Sequence, residues 1–254
     1  MKQLNYIFSV VLICISFSAC NNKPSLKEEV LTLKNEWGFN FPLPSENDSI
    51  NLLYIQMEES YFTLKFDKMD SLAKKILSID STFYMALSFQ AFGAWPFDLE
   101  KLKLAKEYSL KDTSVHQLIF GGDYSYWIEH DTISALKQYT EVYTRYPDSK
   151  IAAWLAGMAS LWSKDYQMAI SYYKKSLEID PEFYHAYYDL GDAYLENKEY
   201  INAIENYTEF LKHYPDKYRI HNVIGDAYSS LSDSINANKQ YHMADSLKNI
   251  VEAK

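Results

Sequence analysis

Glycine, proline and cysteine are all scarce in this sequence of 254 residues. Its seven glycines and seven prolines are too few for an all-β chain with many tight turns, so the composition favours helices. Lysine and arginine form no cluster, and the net charge of -9 is opposite in sign to the charge that binds nucleic-acid phosphates. We therefore expect a mainly helical protein that does not bind nucleic acid.

The first twenty residues indicate an exported precursor. Lys2 is followed by an apolar run from Tyr6 to Ala19, which is broken only by serines and ends just before Cys20. This run of about 14 residues is shorter than the roughly 20 that cross a bilayer. A charged start, a short apolar stretch and small residues at a cleavage site are typical of a signal peptide. The alternatives are an N-terminal membrane helix and a secretory peptide with a chance cysteine.

The end of this run, Phe17 to Cys20, resembles the lipobox of bacterial lipoprotein signal peptides. The resemblance implies that residues 1–19 are removed and that Cys20 carries the lipid, a firm membrane anchor. It also implies a place in the bacterial cell envelope. We favour the outer membrane over the inner one, on the periplasmic or the surface side, and the sequence leaves the membrane and the leaflet open. Because Cys14 lies in the removed segment, the mature chain keeps no second cysteine, which excludes a disulfide and a catalytic thiol.

Four ladders of identical residues recur every 34 positions in the rest of the chain. Proline, glycine, alanine and tyrosine all repeat at this spacing, at Pro147, Pro181 and Pro215, at Gly157, Gly191 and Gly225, at Ala135, Ala169, Ala203 and Ala237, and at Tyr139, Tyr173, Tyr207 and Tyr241. A fixed period of this length is the sequence pattern of a solenoid.

The clearest unit shows why each position needs its residue type. Apolar residues from Tyr187 to Leu211 recur at helical spacings on both sides of a polar break at Asn197-Lys198, which indicates two amphipathic helices. Gly191 and Ala203 are small because the two helices cross closely, and Pro215 ends the second helix. The pattern Tyr-x2-Leu-Gly-x2-Tyr, then Ala-x3-Tyr and Pro, resembles the tetratricopeptide-repeat family.

This resemblance implies an all-α fold, a right-handed superhelical solenoid of helix hairpins. Counting in register places about six repeats in residues 50–254, with units at 50–83, 84–115, 116–149, 150–183, 184–217 and 218–251. The units at 150–183 and 184–217 are the clearest, and the last unit is polar, as expected for the cap of a solenoid. In the unit at 116–149 the glycine position holds Asp123.

The region from residue 20 to residue 49 does not follow the period. Ser25 and Glu28 predict a capping box at the start of a short helix that extends to Trp37. Residues 37–44 then form an aromatic, proline-containing segment, which is unusual for a linker.

Signatures of catalysis are absent from the sequence. No two of its six histidines are four residues apart, and phosphate-loop, dinucleotide and nucleophile-elbow motifs are missing. Glu129, His130 and Asp131 have catalytic residue types, but the same place in later units holds Asp165, Glu199 and Asp233, which indicates a polar turn between helices. We therefore predict that the chain is not an enzyme and needs no metal or cofactor.

The concave groove is the predicted binding site. In the tetratricopeptide family the first helix of each unit lines this groove. The resemblance therefore implies that aromatic side chains line the first two-thirds of the groove in this chain. The candidate binding residues are Phe120, Tyr124, Trp127, Trp154, Met158, Trp162 and Tyr188. A large apolar patch usually marks a partner surface, although an ordinary core between repeats would show the same stripe.

Three functions fit these observations. The first is a lipid-anchored scaffold that binds an apolar or aromatic peptide segment of a partner protein in the groove. The second is a surface lipoprotein that binds carbohydrate on aromatic side chains, and the third is an accessory of outer-membrane protein assembly. Residues 37–44 are close enough to the first units to occupy the groove themselves, and the oligomeric state is left open.

Overall fold

The computed structural model describes residues 24–94 and 96–252. Over these residues the chain forms thirteen α-helices and no β-strand. The predicted signal peptide, the lipidation site Cys20 and Trp95 lie outside the described residues. None of the thirteen helices is both long and apolar enough to cross a bilayer.

One N-terminal helix precedes six helix pairs, which stack in chain order. The helices are α1 (Leu26–Trp37), α2 (Asp48–Phe62), α3 (Phe66–Ile79), α4 (Tyr84–Gly93), α5 (Leu99–Ser109), α6 (Val115–Trp127), α7 (Thr132–Arg145), α8 (Lys150–Trp162), α9 (Tyr166–Ile179), α10 (His185–Glu196), α11 (Tyr200–His213), α12 (Tyr218–Ser230) and α13 (Ser234–Glu252). The two helices of each pair pack together, and each pair packs against the next. The predicted all-α solenoid of helix hairpins is confirmed.

The N-terminal helix α1 begins at the predicted capping box. The Glu28 amide donates to Ser25 Oγ at 3.3 Å, and the Ser25 amide donates to Glu28 Oε2 at 2.7 Å. Gly38 ends the helix with a φ of 68°, a left-handed conformation that glycine adopts without strain. This turn directs residues 39–44 back across the solenoid.

The turns inside the hairpins repeat along the chain. Each of four successive hairpin turns contains a residue with a φ between 55° and 63°, and these residues are 34 positions apart: His130, Lys164, Lys198 and Ser232. An acidic residue follows each of them, directly before the second helix begins. Asp131, for example, accepts a hydrogen bond from the Ser134 amide at 3.0 Å. The prediction that Glu129, His130 and Asp131 form a polar turn is confirmed.

The glycine and tyrosine ladders meet where the helices of a pair cross. A Cβ atom added to a ladder glycine would lie 2.4 to 2.7 Å from a ring carbon of the facing tyrosine, in the pairs Gly157–Tyr173, Gly191–Tyr207 and Gly225–Tyr241. The missing side chain therefore lets the tyrosine ring pack directly on the backbone of the first helix.

Gly191→Ala is expected to destabilise the solenoid by about 1–3 kcal/mol, although alanine forms helices better than glycine. The added carbon would lie 2.7 Å from a Tyr207 ring carbon, so the ring or the helix must shift. Gly93→Ala, at the end of α4, is the matched control, because its nearest neighbour is the flexible end of Met69 at 3.4 Å. Urea unfolding of both variants measures the difference, and equal effects would contradict this account.

Helix α6 is shifted by one residue relative to the predicted repeat. Gly122 lies against the ladder tyrosine, because a Cβ atom added there would be 2.6 Å from the Tyr139 ring. The cause is a longer turn: four residues separate α6 from α7, whereas three separate α8 from α9. The prediction that Asp123 occupies the glycine position was therefore wrong. Asp123 follows that position and lies on the concave face.

Candidate functional site

The aromatic segment after α1 fills the beginning of the concave groove. Phe39 and Phe41 are 2% and 1% exposed. The ring centroid of Phe39 lies 5.8 Å from that of Tyr54 on α2 and 6.3 Å from that of His116 on α6. Phe41 packs edge-to-face on Tyr146, with centroids 5.2 Å apart. Docking by the chain itself, one of the two occupants expected for the groove, is therefore observed.

Polar contacts hold this segment in register. The carbonyl of Pro42 lies 2.9 Å from His116 Nε2, which donates to it. At the start of the segment, Lys150 Nζ lies 4.2 Å from the ring centroid of Trp37. The same buried ammonium group pairs with Asp180 Oδ2 at 2.5 Å. The segment is thus tied to the third repeat at one end and to the fourth repeat at the other.

Helix α2 also reaches across the concave face to the fourth and fifth helix pairs. The ring centroid of Phe62 lies 5.3 Å from that of Trp154 on α8 and 5.7 Å from that of His185 on α10. Trp154 is 4% exposed, and its Nε1 donates to Asp189 Oδ2 at 2.6 Å. The first repeat therefore covers Trp154, and a partner could contact its ring broadly only if α2 moved away.

A cavity of about 340 Å³ remains on this face. The docked segment borders it, together with the first helices of the first four pairs. Its lining is mainly apolar and aromatic, and includes Tyr61, Phe62, Phe89, Phe92, Trp127 and Met158. Phe66 and Trp127 are exposed as well as lining the cavity, so it reaches the surface beside them. The volume suits a small organic molecule or a large side chain.

Two carboxyl groups face this apolar cavity, Glu58 from α2 and Asp123 from α6. The Tyr54 hydroxyl donates to Glu58 Oε1 at 2.5 Å, and the Tyr139 hydroxyl donates to Asp123 Oδ1 at 2.7 Å. Burial raises the pKa of Glu58 to about 7 and the pKa of Asp123 to about 6. In the part of the chain that the structure describes, neither carboxyl forms an ion pair with lysine or arginine.

Tyr54 connects the cavity to the docked segment. Its hydroxyl oxygen lies 2.5 Å from Glu58 Oε1 and 3.4 Å from His116 Nδ1, but it has only one proton to donate. When Glu58 is ionised, it accepts the hydrogen bond from the Tyr54 hydroxyl. A protonated Glu58 can donate to Tyr54 instead, which frees the tyrosine to donate to His116. Because His116 Nε2 donates to the carbonyl of Pro42, polar contacts run from Glu58 through Tyr54 and His116 to the docked segment.

Three of the predicted groove residues line the cavity: Trp127, Trp154 and Met158. The one-residue shift of α6 brings Ile119 and Asp123 to this face and turns Phe120 into the core, where its ring packs on Tyr84 at 5.6 Å. Tyr124, Trp162 and Tyr188 lie outside the cavity, against Lys106, Tyr126 and Phe210 respectively. Binding at the seven predicted positions stays a prediction.

The cavity carboxyls were not among the predicted site residues, although the repeats contain a signal for one of them. An aspartate directly follows the ladder glycine in three repeats and accepts a hydrogen bond from the ladder tyrosine, in the pairs Asp123–Tyr139, Asp192–Tyr207 and Asp226–Tyr241. Only Asp123 of these three lines the cavity. Among residues 24–94 and 96–252, no group of three or more His, Cys, Asp or Glu side chains is placed to hold a metal ion.

Comparisons with known proteins agree with this fold. Tetratricopeptide-repeat family models match residues 152–183 and 172–205, and no curated protein matches the chain significantly. A chain of the APC/C hetero-tetramer Cut9-Hcn1 is similar, with a TM-score of 0.58 and 15% identity over 87% of this chain and 43% of that chain. The type IV pilus biogenesis factor PilW has a TM-score of 0.53 and 15% identity over 76% of this chain and 91% of its own.

A third similar structure is MamA from Desulfovibrio magneticus RS-1, with a TM-score of 0.50 and 19% identity over 74% of this chain and 96% of its own. At these identities the likeness concerns the fold alone. The matched repeats lie where the glycine and tyrosine ladders pack most regularly. This chain thus contains tetratricopeptide repeats and folds as an α-helical solenoid, the architecture of a scaffold for interactions between proteins.

Proposed function

We propose that this scaffold is lipid-anchored in the bacterial envelope and that it binds an apolar or aromatic side chain of a partner protein in its concave cavity. The observation that carries the proposal is the cavity of about 340 Å³, which stays open although the chain fills the adjoining groove with its own segment. Burial of each large apolar side chain of the lining by a partner would stabilise the complex by roughly 1.5–3 kcal/mol. Residues 39–42 leave no room for a long peptide, so a short motif with one or two large side chains fits best.

The anchor rests on the sequence Phe17 to Cys20. Cys20→Ala is expected to prevent lipidation, so the protein should appear in the soluble fraction or persist as an uncleaved precursor. Mass spectrometry of the mature N-terminus and partitioning into detergent measure the two outcomes. A variant with unchanged mass and unchanged partitioning would show that Cys20 does not carry the anchor.

The cavity can be tested by crosslinking in intact envelopes. A photoreactive phenylalanine analogue at Trp127, beside the opening, is expected to capture one partner, whereas the analogue at the exposed Ile235 on α13 should not. Ser88→Phe should abolish the capture, because Ser88 lines the cavity and its hydroxyl donates to the Met85 carbonyl of its own helix, a bond that the solenoid can lose without unfolding. Capture that persists in this filled variant would exclude the cavity as the binding site.

A further inference from the structure

A purely apolar ligand does not account for the two carboxyl groups of the cavity. Such a ligand would displace water from Glu58 and Asp123 and raise the cost of burying them. Each carboxyl uses one oxygen to accept from a tyrosine, Oε1 of Glu58 and Oδ1 of Asp123. No residue in the described ranges donates to the other oxygen of either group, so both remain free for a ligand.

We infer that the cavity binds a protonated amine carried on an apolar or aromatic body. The ammonium group would lie against Glu58 and Asp123, and the body would pack on the surrounding rings. This inference rests on the proposed function, since it names the chemistry of the side chain or small molecule that enters the same cavity. Two features support it together: uncompensated negative charge, and an aromatic lining that includes Tyr61, Phe62 and Trp127. Aromatic faces attract cations, most strongly where water is excluded.

A bound cation would also change the protonation of the site. An opposite charge favours the ionised carboxylate, so amine binding near neutral pH is expected to release protons. Among the described residues, the other titratable side chains near the pair are His116, Tyr54, Tyr61 and Tyr139, from helices α6, α2 and α7. A third carboxyl, Asp189 of α10, acts on Tyr61 as Glu58 and Asp123 do, and its pKa is raised to about 7 by burial. Burial lowers the pKa of His116 and raises the pKa of each tyrosine, so all four are uncharged at this pH. The released protons would come from carboxyl groups, first of all from Glu58 and Asp123, which contact the ammonium group.

Calorimetric titration of the full mature protein with 2-phenylethylamine and its neutral isostere 2-phenylethanol tests the inference. The amine is expected to bind at least about tenfold more tightly than the alcohol, as for a hydrogen bond to a charged group. Glu58→Gln and Asp123→Asn should each remove most of this preference while leaving the alcohol unaffected. Both replacements keep an oxygen that accepts from the tyrosine, which preserves the fold.

Asp226→Asn is the matched control, because Asp226 has the same repeat position and the same tyrosine bond but lies outside the cavity. It should leave the preference for the amine unchanged. A second measurement needs no variant: titration in two buffers with different ionisation enthalpies reports proton release directly. Release of protons on binding of the amine, and none with the alcohol, supports the inference.

The source of the amine is distinguished by two peptides, acetyl-Phe-Lys-Phe-amide and the same peptide with norleucine in place of lysine. A preference for the lysine peptide identifies a protein side chain, whereas binding of the free amine alone identifies a small molecule. Equal affinities for amine and alcohol would overturn the inference and leave the apolar cavity standing as the proposed site. If neither 2-phenylethylamine nor 2-phenylethanol binds and Ser88→Phe leaves partner capture intact, both the inference and the proposed function are wrong.

Discussion

Replacing Phe41 with alanine is expected to lower the free energy of unfolding by about 3–5 kcal/mol, or to release residues 37–44 from the groove. The Phe41 side chain is 1% exposed and packs between His116 and Tyr146, so its loss leaves a hole between the segment and the third repeat. Urea unfolding measures the first outcome. Binding of a hydrophobic dye, and faster hydrogen exchange in α2 and α6, measures the second.

Phe66→Ala is the matched control for this prediction. It makes the same chemical change, but Phe66 is 52% exposed, so its loss should cost less than about 1 kcal/mol. Equal losses from the two variants would contradict the docking of the segment. If Phe41→Ala releases the segment without unfolding the solenoid, a partner that competes with residues 37–44 should bind the variant more tightly, since an internal competitor has been removed.

Glu58→Gln is expected to raise stability at pH 8 by up to about 3 kcal/mol and to change it little at pH 5. Burial raises the pKa of Glu58 from 4.5 to about 7. The folded protein therefore keeps a proton that the unfolded chain loses above pH 4.5. Stability falls as the pH rises through this range, until Glu58 ionises near pH 7 and the full cost of burying its charge is present. Glutamine cannot ionise, so the variant avoids this cost.

Guanidinium unfolding at pH 5 and pH 8 measures the effect, with Glu59→Gln on the same helix as the control. Glu59 is more exposed than Glu58, so its replacement should add little at either pH. Asp189 and Asp192 also have pKa values raised to about 7 by burial, so the variant should keep part of the decline in stability above pH 5. An identical pH dependence for Glu58→Gln and the unchanged protein would show that Glu58 is not buried as a carboxylic acid.

The helix hairpins could be predicted because they depend on contacts between neighbouring residues and neighbouring repeats. Gly191 and Tyr207 meet across one hairpin, and the residue in the left-handed turn recurs with the period of the sequence. These contacts repeat with the same spacing, so a ladder in the sequence reports them directly. The capping box at Ser25 was equally local, because it involves residues three positions apart.

The register of α6 could not be predicted from the period. One additional residue in the following turn moves Gly122 into the glycine position and brings Asp123 to the concave face. The period of the sequence does not show whether an extra residue lies in the turn before a helix or in the turn after it. Packing decides it here, because only glycine fits against the ring of Tyr139.

The sequence by itself determined an all-α solenoid, its hairpins and the aromatic character of its concave face. Tertiary structure decided which of those aromatic residues are covered and what remains open. Phe62 reaches Trp154, and Phe39 and Phe41 reach His116, across distances in sequence that no repeat encodes. Glu58 becomes a buried acid for the same reason, since its surroundings come from separate repeats. Periodic sequence specifies contacts between neighbours, whereas closure of the groove depends on how the stacked repeats curve towards one another.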